Sequence, residues 1–296
     1  MTELNQVAGG GGLHCFAVDG GGTKTDAALF TPAGAELARV RLGPANAFRD
    51  PDAVIELLAE AWRRVSHGRD VSIENTVIVA GIAGSEATAT RQQLQSGLPA
   101  FAGRYVTNDA RIAAVAARRG QPVALLVIGT GTIVLILHEL DSYELLGGWG
   151  FPAGDQGGGA WLGHRLVQRY LGSLDGLERL PRPIADELGK RLGKDRQSAL
   201  AWLQGAGPAV YGSLAPLALE LPELVDEGAR HLTALAGATL EKTKAPLVIS
   251  GGLAPVYEPF FRRAFGCRFE GALDRDPLQG ALLLKPLAAR GSQGGL

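Results

Sequence analysis

Two short glycine turns, each separating a pair of apolar runs, constrain this chain more than any other feature. The first is Asp19-Gly20-Gly21-Gly22-Thr23-Lys24-Thr25, between residues 14–18 and Thr25–Phe30. The second is Gly129-Thr130-Gly131-Thr132, between Val123–Ile128 and residues 133–139. Each reads as strand, tight turn and returning strand, and each is followed by a third strand, at Glu36–Leu42 and at residues 143–146. Helix-compatible segments follow. Residues 51–65 carry Val54, Leu57, Leu58, Ala61, Trp62 and Val65 at helical spacing, with Asp50 as N-cap and Pro51 opening the helix. A buried strand at residues 76–80, a helix over 86–94, a strand at 105–107 and a helix starting at Asp109 complete the first half. The second half continues with a mostly helical stretch from Gly159 to about Thr243, a strand at 246–250, a helix at 255–265, a strand at 267–269 and a helix over 277–287. Strands alternating with helices, with a hairpin at each start, mean an α/β protein with two domains. The expected organisation is a loose leader at 1–12, one domain at 13–120 and a second at 121–296. The second carries a helical insertion at about 159–244, and the last helix is a candidate to pack back on the first domain.

Composition removes whole classes of function. With 296 residues, 46% hydrophobic and 20% charged, the chain can bury a sizeable core. A formal charge of −1, without blocks of like charge, argues against a nucleic-acid surface. Residues 123–137 are too short and too interrupted by glycine to span a bilayer, and the leader lacks the Lys or Arg of a signal peptide, so no membrane partner is expected. Two isolated cysteines, Cys15 and Cys267, disfavour disulfides and metal clusters and fit a reducing cytoplasm. The five histidines show no metal-ligand spacing. Glycine stands out, with 42 residues, about twice the average usage of roughly 7%, so its placement matters.

In the first turn, Gly21 and Gly22 let backbone N–H groups approach one anion, while Thr23 and Lys24 add a hydroxyl and a cation. This is a phosphate cradle in form, although Thr23 stands where a Walker A loop needs glycine. Asp19, at the preceding strand end, suits a water-mediated Mg²⁺. Gly129, Thr130, Gly131 and Thr132 repeat the device, and Gly251-Gly252 after the strand ending at Ser250 is a further close-approach loop, where an adenosine can lie against bare backbone. Asp109 is placed for general-base work at a strand-to-helix junction, with Asn108 as the cap; an ordinary N-cap is the bland alternative. The run from Gly147 to Ala160 is an irregular glycine-rich loop, a kind that is usually functional. There Asp155 can accept hydrogen bonds from sugar hydroxyls and Trp149 can pack on an apolar sugar face, core filling being the alternative for the Trp. Asn46, in Gly43-Pro44-Ala45-Asn46, offers a donor and an acceptor to vicinal hydroxyls, or else forms an Asx-turn.

Taken in order, these segments resemble the N-acetylglucosamine kinase branch of the BadF/BadG/BcrA/BcrD ATPase family, within the superfamily of actin, sugar kinases and heat-shock ATPases. The resemblance implies two ribonuclease-H-like, actin-like ATPase domains with an interdomain cleft that takes Mg-ATP and an amino sugar. It implies phosphate contacts from Gly21, Gly22, Thr23, Lys24 and Gly129 to Thr132, an adenosine border at Gly251 and Gly252, and Mg²⁺ facing Asp19. It further implies Asp109 as the base for a sugar 6-hydroxyl, with Asn46, Asn108, Gly148, Trp149 and Asp155 around the sugar. The family usually reads Gly-Asp-Glu-Gly-Ser where this chain has Gly154-Asp155-Gln156-Gly157-Gly158. The acceptor is thereby left open among N-acetylglucosamine, glucosamine and another hexosamine such as N-acetylmuramic acid. Homodimerisation is an expectation carried by the resemblance alone. A second reading, an ATP-hydrolysing activator of a partner enzyme, is disfavoured because that branch holds a metal cluster through cysteines this chain lacks.

Overall fold

The computed structural model describes residues 12–291, so the expected leader lies almost wholly outside the described residues. The chain opens with β1 (His14–Gly20), β2 (Thr25–Phe30) and β3 (Glu36–Leu42), then α1 (Pro51–Ser66), β4 (Thr76–Ile82), α2 (Thr88–Gly97), β5 (Gly103–Thr107) and α3 (Asp109–Ala117). A second three-strand opening follows, with β6 (Val123–Ile128), β7 (Thr132–Glu139) and β8 (Ser142–Gly147). The helical stretch comprises α4 (Gly159–Leu174), α5 (Arg182–Leu192), α6 (Arg196–Gly205), α7 (Pro208–Gly212), α8 (Ala215–Ala218) and α9 (Pro222–Lys242). The chain closes with β9 (Leu247–Ser250), α10 (Ala254–Phe265), β10 (Phe269–Ala272), α11 (Pro277–Leu283) and α12 (Lys285–Gly291).

Two five-stranded sheets result, ordered β3-β2-β1-β4-β5 and β10-β9-β6-β7-β8. In the first, β1 is antiparallel to β2 and parallel to β4, and β4 is parallel to β5. The central strands β1, β2 and β4 are nearly continuous apolar runs, as strands covered on both faces must be, whereas edge strand β3 alternates and carries Glu36, Arg39 and Arg41. Asp50 caps α1 by accepting the Ala53 N–H, and Pro51 occupies the first turn, where its missing N–H costs nothing. The apolar stripe of α1 lies on the sheet. There Phe16, Trp62 and Phe101 meet with ring centroids 5.0–6.0 Å apart, beside Leu58, Ile78 and Leu94.

The chain divides into two compact units. One contains residues up to Leu125, Leu135–Glu144 and residues from Leu273 onward; the other contains Leu126–Val134 and Leu145–Ala272. The residues from Leu273 onward fall in the first unit, as expected for the last helix, and Leu135–Glu144 also fall there, beyond the boundary expected at 120/121. Within the first unit, α11 packs on α3 so closely that a Cβ on Gly280 would overlap the Ile112 carbonyl and lie 2.8 Å from the Ala116 nitrogen. The single helix expected over 277–287 is broken at Leu284; Pro286, in the first turn of α12, has no N–H to continue the preceding helix. The strand expected at 267–269 lies later, at Phe269–Ala272, because Gly266–Arg268 forms a 3-10 turn with Gly266 at φ +51°. In the second unit, α4 packs its buried face, including Leu162, Leu166 and Tyr170, with Ile184, Leu188 and Tyr211 from the helical stretch.

Candidate active site

In the first unit, the parallel strands β1, β4 and β5 end at one sheet edge, the position at which open α/β sheets bind ligands. Gly20 ends β1 where a Cβ would lie 2.7 Å from Ile82 Cδ1 and 3.1 Å from Ala45 Cβ, so only glycine fits. The turn beyond it is closed by the Gly21 N–H donating to the Lys24 carbonyl at 2.9 Å. The Gly20 and Gly21 carbonyls accept from Ala83 and Ala45 at 2.7 and 2.9 Å, fixing the flanking loops. Gly22 and Thr23 are left exposed at the tip, with open space where a Gly22 side chain would stand. Lys24, 53% exposed, pairs with Asp26 at 2.8 Å; Arg41 holds the same carboxylate at 2.6 Å, and together they keep its pKa low despite burial.

Asp19 has Gly81 and Asp26 as its cross-strand neighbours. Burial, reinforced by the negative charges of Asp109 and Asp26, pushes its pKa up to about 7, with Lys24 pulling the other way. Asp109 opens α3 and is half-buried; burial and the nearby Glu86 raise its pKa to about 6, while the Ala110 N–H, 3.0 Å from Oδ1, pulls it back. Gly81 makes this placement possible, because a Cβ there would lie within 2.6 Å of the Ile112 side chain through which α3 rests on β4. Buried Ser85 lies 2.8 Å from the Ile82 carbonyl and 3.0 Å from that of Thr107, sharing its proton between the two strand ends.

Two expected sugar contacts have other work here. Asn108 is fully enclosed and caps α3, its Oδ1 accepting the Arg111 N–H at 2.7 Å. Asn46 forms the Asx-turn, its Oδ1 accepting from the Phe48 N–H at 3.1 Å, which leaves its amide N–H₂ as the group available to a ligand. The adjacent Phe48 is 84% exposed. Sequence reasoning missed Glu86, an exposed acid in a loop with no motif around it. It also missed Arg111, whose buried guanidinium donates to Tyr105 Oη and the Leu140 carbonyl and lies over the Tyr143 ring.

In the second unit, the Gly129–Thr132 turn is closed by the Gly129 N–H on the Gly131 carbonyl at 2.9 Å. The first N–H groups of α4 do not point at an open anion site. Gly159 donates to the Gly129 carbonyl at 2.8 Å and Ala160 to that of Thr130 at 2.9 Å. Gly148, at φ +67°, sits where a Cβ would meet Ile133 at 2.7 Å, and Trp149 is 85% exposed, which excludes core filling. Asp155 has φ +65°; burial raises its pKa, and the backbone N–H groups of Thr132 and Gly150 stabilise its charge. Gly251, at φ +96°, lies against the Ile128 backbone, while Gly252 has open space beside it.

Within the first unit Gly22, and within the second Gly129 and Gly252, have open space where a side chain would stand. Asp19 fits a divalent cation, since it is a half-buried carboxylate beside the negative charges of Asp109 and Asp26, which Lys24 only partly offsets. Among the described residues no group of three or more His, Cys, Asp or Glu side chains could hold a metal ion. Among the described residues no helix is long and apolar enough to cross a membrane.

The chain is similar to several known proteins. Glucosamine kinase GspK of Vibrio cholerae is 28% identical over 206 residues, 69% of each chain. An N-acetylmuramic acid/N-acetylglucosamine kinase of Clostridium acetobutylicum is 26% identical over 170 residues, 55% of each. A crystal structure from Chromobacterium violaceum, provisionally named an N-acetylglucosamine kinase, superposes with a TM-score of 0.83 at 29% identity, covering 92% of this chain and 98% of that one. The family model for the BadF/BadG/BcrA/BcrD ATPases matches residues 17–201, and this chain belongs to that family.

Proposed function

We propose that this protein is an ATP-dependent hexosamine kinase that transfers the γ-phosphoryl group of Mg-ATP to the 6-hydroxyl of an amino sugar, glucosamine or N-acetylglucosamine. The observation that carries the reading is Asp109, a half-buried carboxylate with a pKa of about 6 at the sheet edge where β1, β4 and β5 end. A base with a pKa just below neutrality is ionised at pH 7 and still has useful proton affinity, the compromise general-base catalysis favours. Asp109 takes the hydroxyl proton as the sugar oxygen bonds to phosphorus and the bond from phosphorus to the β-phosphate oxygen breaks. The turns at Gly21–Lys24 and Gly129–Thr132 bind phosphate through backbone N–H groups and hydroxyls, and Gly251-Gly252 borders the adenosine. Asp19 would hold Mg²⁺ through water, and the ion would supply charge neutralisation on the phosphates. Asn46 through its amide, Gly148, Trp149 and Asp155 hold the sugar; Asn108 serves by capping the helix that carries the base. The names of the relatives, all amino-sugar kinases, support the same acceptor class.

The test is ADP release from Mg-ATP against glucosamine, N-acetylglucosamine, N-acetylmannosamine, N-acetylmuramic acid and glucose. Turnover with an amino sugar well above glucose is expected. Silence across the panel, with nucleotide still bound, contradicts the reading and favours the activator role.

A further inference from the structure

Asp155 presents a combination that ring recognition does not require. It is a non-glycine residue in the left-handed region, at φ +65°, which Asp and Asn adopt more readily than other side chains. Its carboxylate lies against the second phosphate turn: a Cβ on Gly131 would stand 2.9 Å from its Cγ and 3.3 Å from Oδ1. The Thr132 N–H, from that turn, and the Gly150 N–H, from the glycine-rich loop, both stabilise the ionised group. Its own carbonyl accepts from Gly158 at 2.9 Å, and Gly158 is a residue whose Cβ would lie 2.9 Å from the Thr130 carbonyl. Gly159 and Ala160 then continue onto the Gly129 and Thr130 carbonyls. The residues from Asp155 to Ala160 therefore wrap the turn, and Asp155 is the charged member of that wrap.

We propose that Asp155 is a positioning residue that holds the Gly129–Thr132 turn in its nucleotide-binding shape. The inference deepens the kinase reading and rests on it. Two carboxylate oxygens offer about four acceptor positions, and two N–H groups leave others free for sugar hydroxyls. One carboxylate thus serves both the acceptor loop and the phosphate turn, and the order it imposes on the turn is present before the sugar arrives.

The experiment is titration of the full-length protein with the Mg²⁺ complex of a non-hydrolysable ATP analogue, without any sugar, for wild type and Asp155→Asn. Asparagine tolerates the left-handed backbone, so this variant removes the charge and keeps the loop geometry. Loss of a charge-assisted hydrogen bond predicts about tenfold or greater weakening of nucleotide affinity with the stoichiometry unchanged. A residue that contacts only sugar cannot change this constant, and a merely structural role would lower the binding-competent fraction rather than the affinity. Gly131→Ala provides a second route, because it drives a methyl into the carboxylate. It should weaken nucleotide binding in the wild type and have little further effect in Asp155→Gly, where those atoms are gone. Unchanged nucleotide affinity in Asp155→Asn, or additive effects of the Gly131 and Asp155 changes, overturns the inference and leaves the kinase reading standing. Failure of the wild type to bind the nucleotide overturns both.

Discussion

Asp109→Asn should make the protein more stable and almost inactive. In the fold its pKa is about 6, against 3.8 for an unperturbed aspartate, because burial and Glu86 disfavour the charge. The folded state therefore binds a proton that the unfolded state has already released between about pH 4 and 6. Stability from this group is intact below about pH 4, falls as pH rises to about 6, and is flat above. The shift of roughly two units corresponds to about 3 kcal/mol at pH 7. Asparagine is near-isosteric, its Oδ1 can still accept the Ala110 N–H, and the Asn108 cap is untouched. Thermal unfolding from pH 4 to 8, without nucleotide or Mg²⁺, should show wild type and variant alike at pH 4. At pH 7 the variant should melt about 6–12 °C higher, given about 2–4 °C per kcal/mol for a unit of 150–250 residues. Turnover should fall by about 10² to 10⁴. A variant less stable than wild type at pH 7, or a stability difference that does not change with pH, would refute the electrostatic argument. Near-wild-type turnover would refute the role of base.

Two further substitutions probe other parts of the account. Asn46→Asp keeps the acceptor that the Phe48 N–H needs but removes the amide donor, so KM for the sugar should rise about tenfold, with KM for ATP and the melting temperature little changed; initial-rate kinetics in both substrates would show it. Gly280→Ala forces a methyl onto the α3 backbone at Ile112 and Ala116, so it should destabilise the fold by about 1–3 kcal/mol, measurable by urea unfolding, and a neutral result would refute the α11–α3 approach.

Local signals in the sequence were strong where a residue's role depends on its neighbours in the chain. Asp50 with Pro51 marked the start of α1, Asn108 with Asp109 marked that of α3, and the two glycine turns marked paired hairpins. Partners distant in the chain were not legible. Nothing near Gly280 says that it meets Ile112, and nothing near Asp155 says that its carboxylate lies against Gly131. Sequence shows the residue type of Asn108 but not its enclosure. Pro286 signals the break before α12, but apolar periodicity continues across it. Glu86 acts on Asp109 only through space, and Arg111 reaches Leu140 across 29 positions, separations at which sequence pattern carries no signal.

The most direct test of the central claim follows the phosphorus itself. Wild type and Asp109→Asn are incubated with Mg-ATP and either glucosamine or N-acetylglucosamine, and products are identified by ³¹P nuclear magnetic resonance. The account predicts equal amounts of ADP and a hexosamine 6-phosphate from the wild type, and neither from Asp109→Asn beyond trace. ADP accompanied by inorganic phosphate, in amounts independent of the sugar, would contradict it.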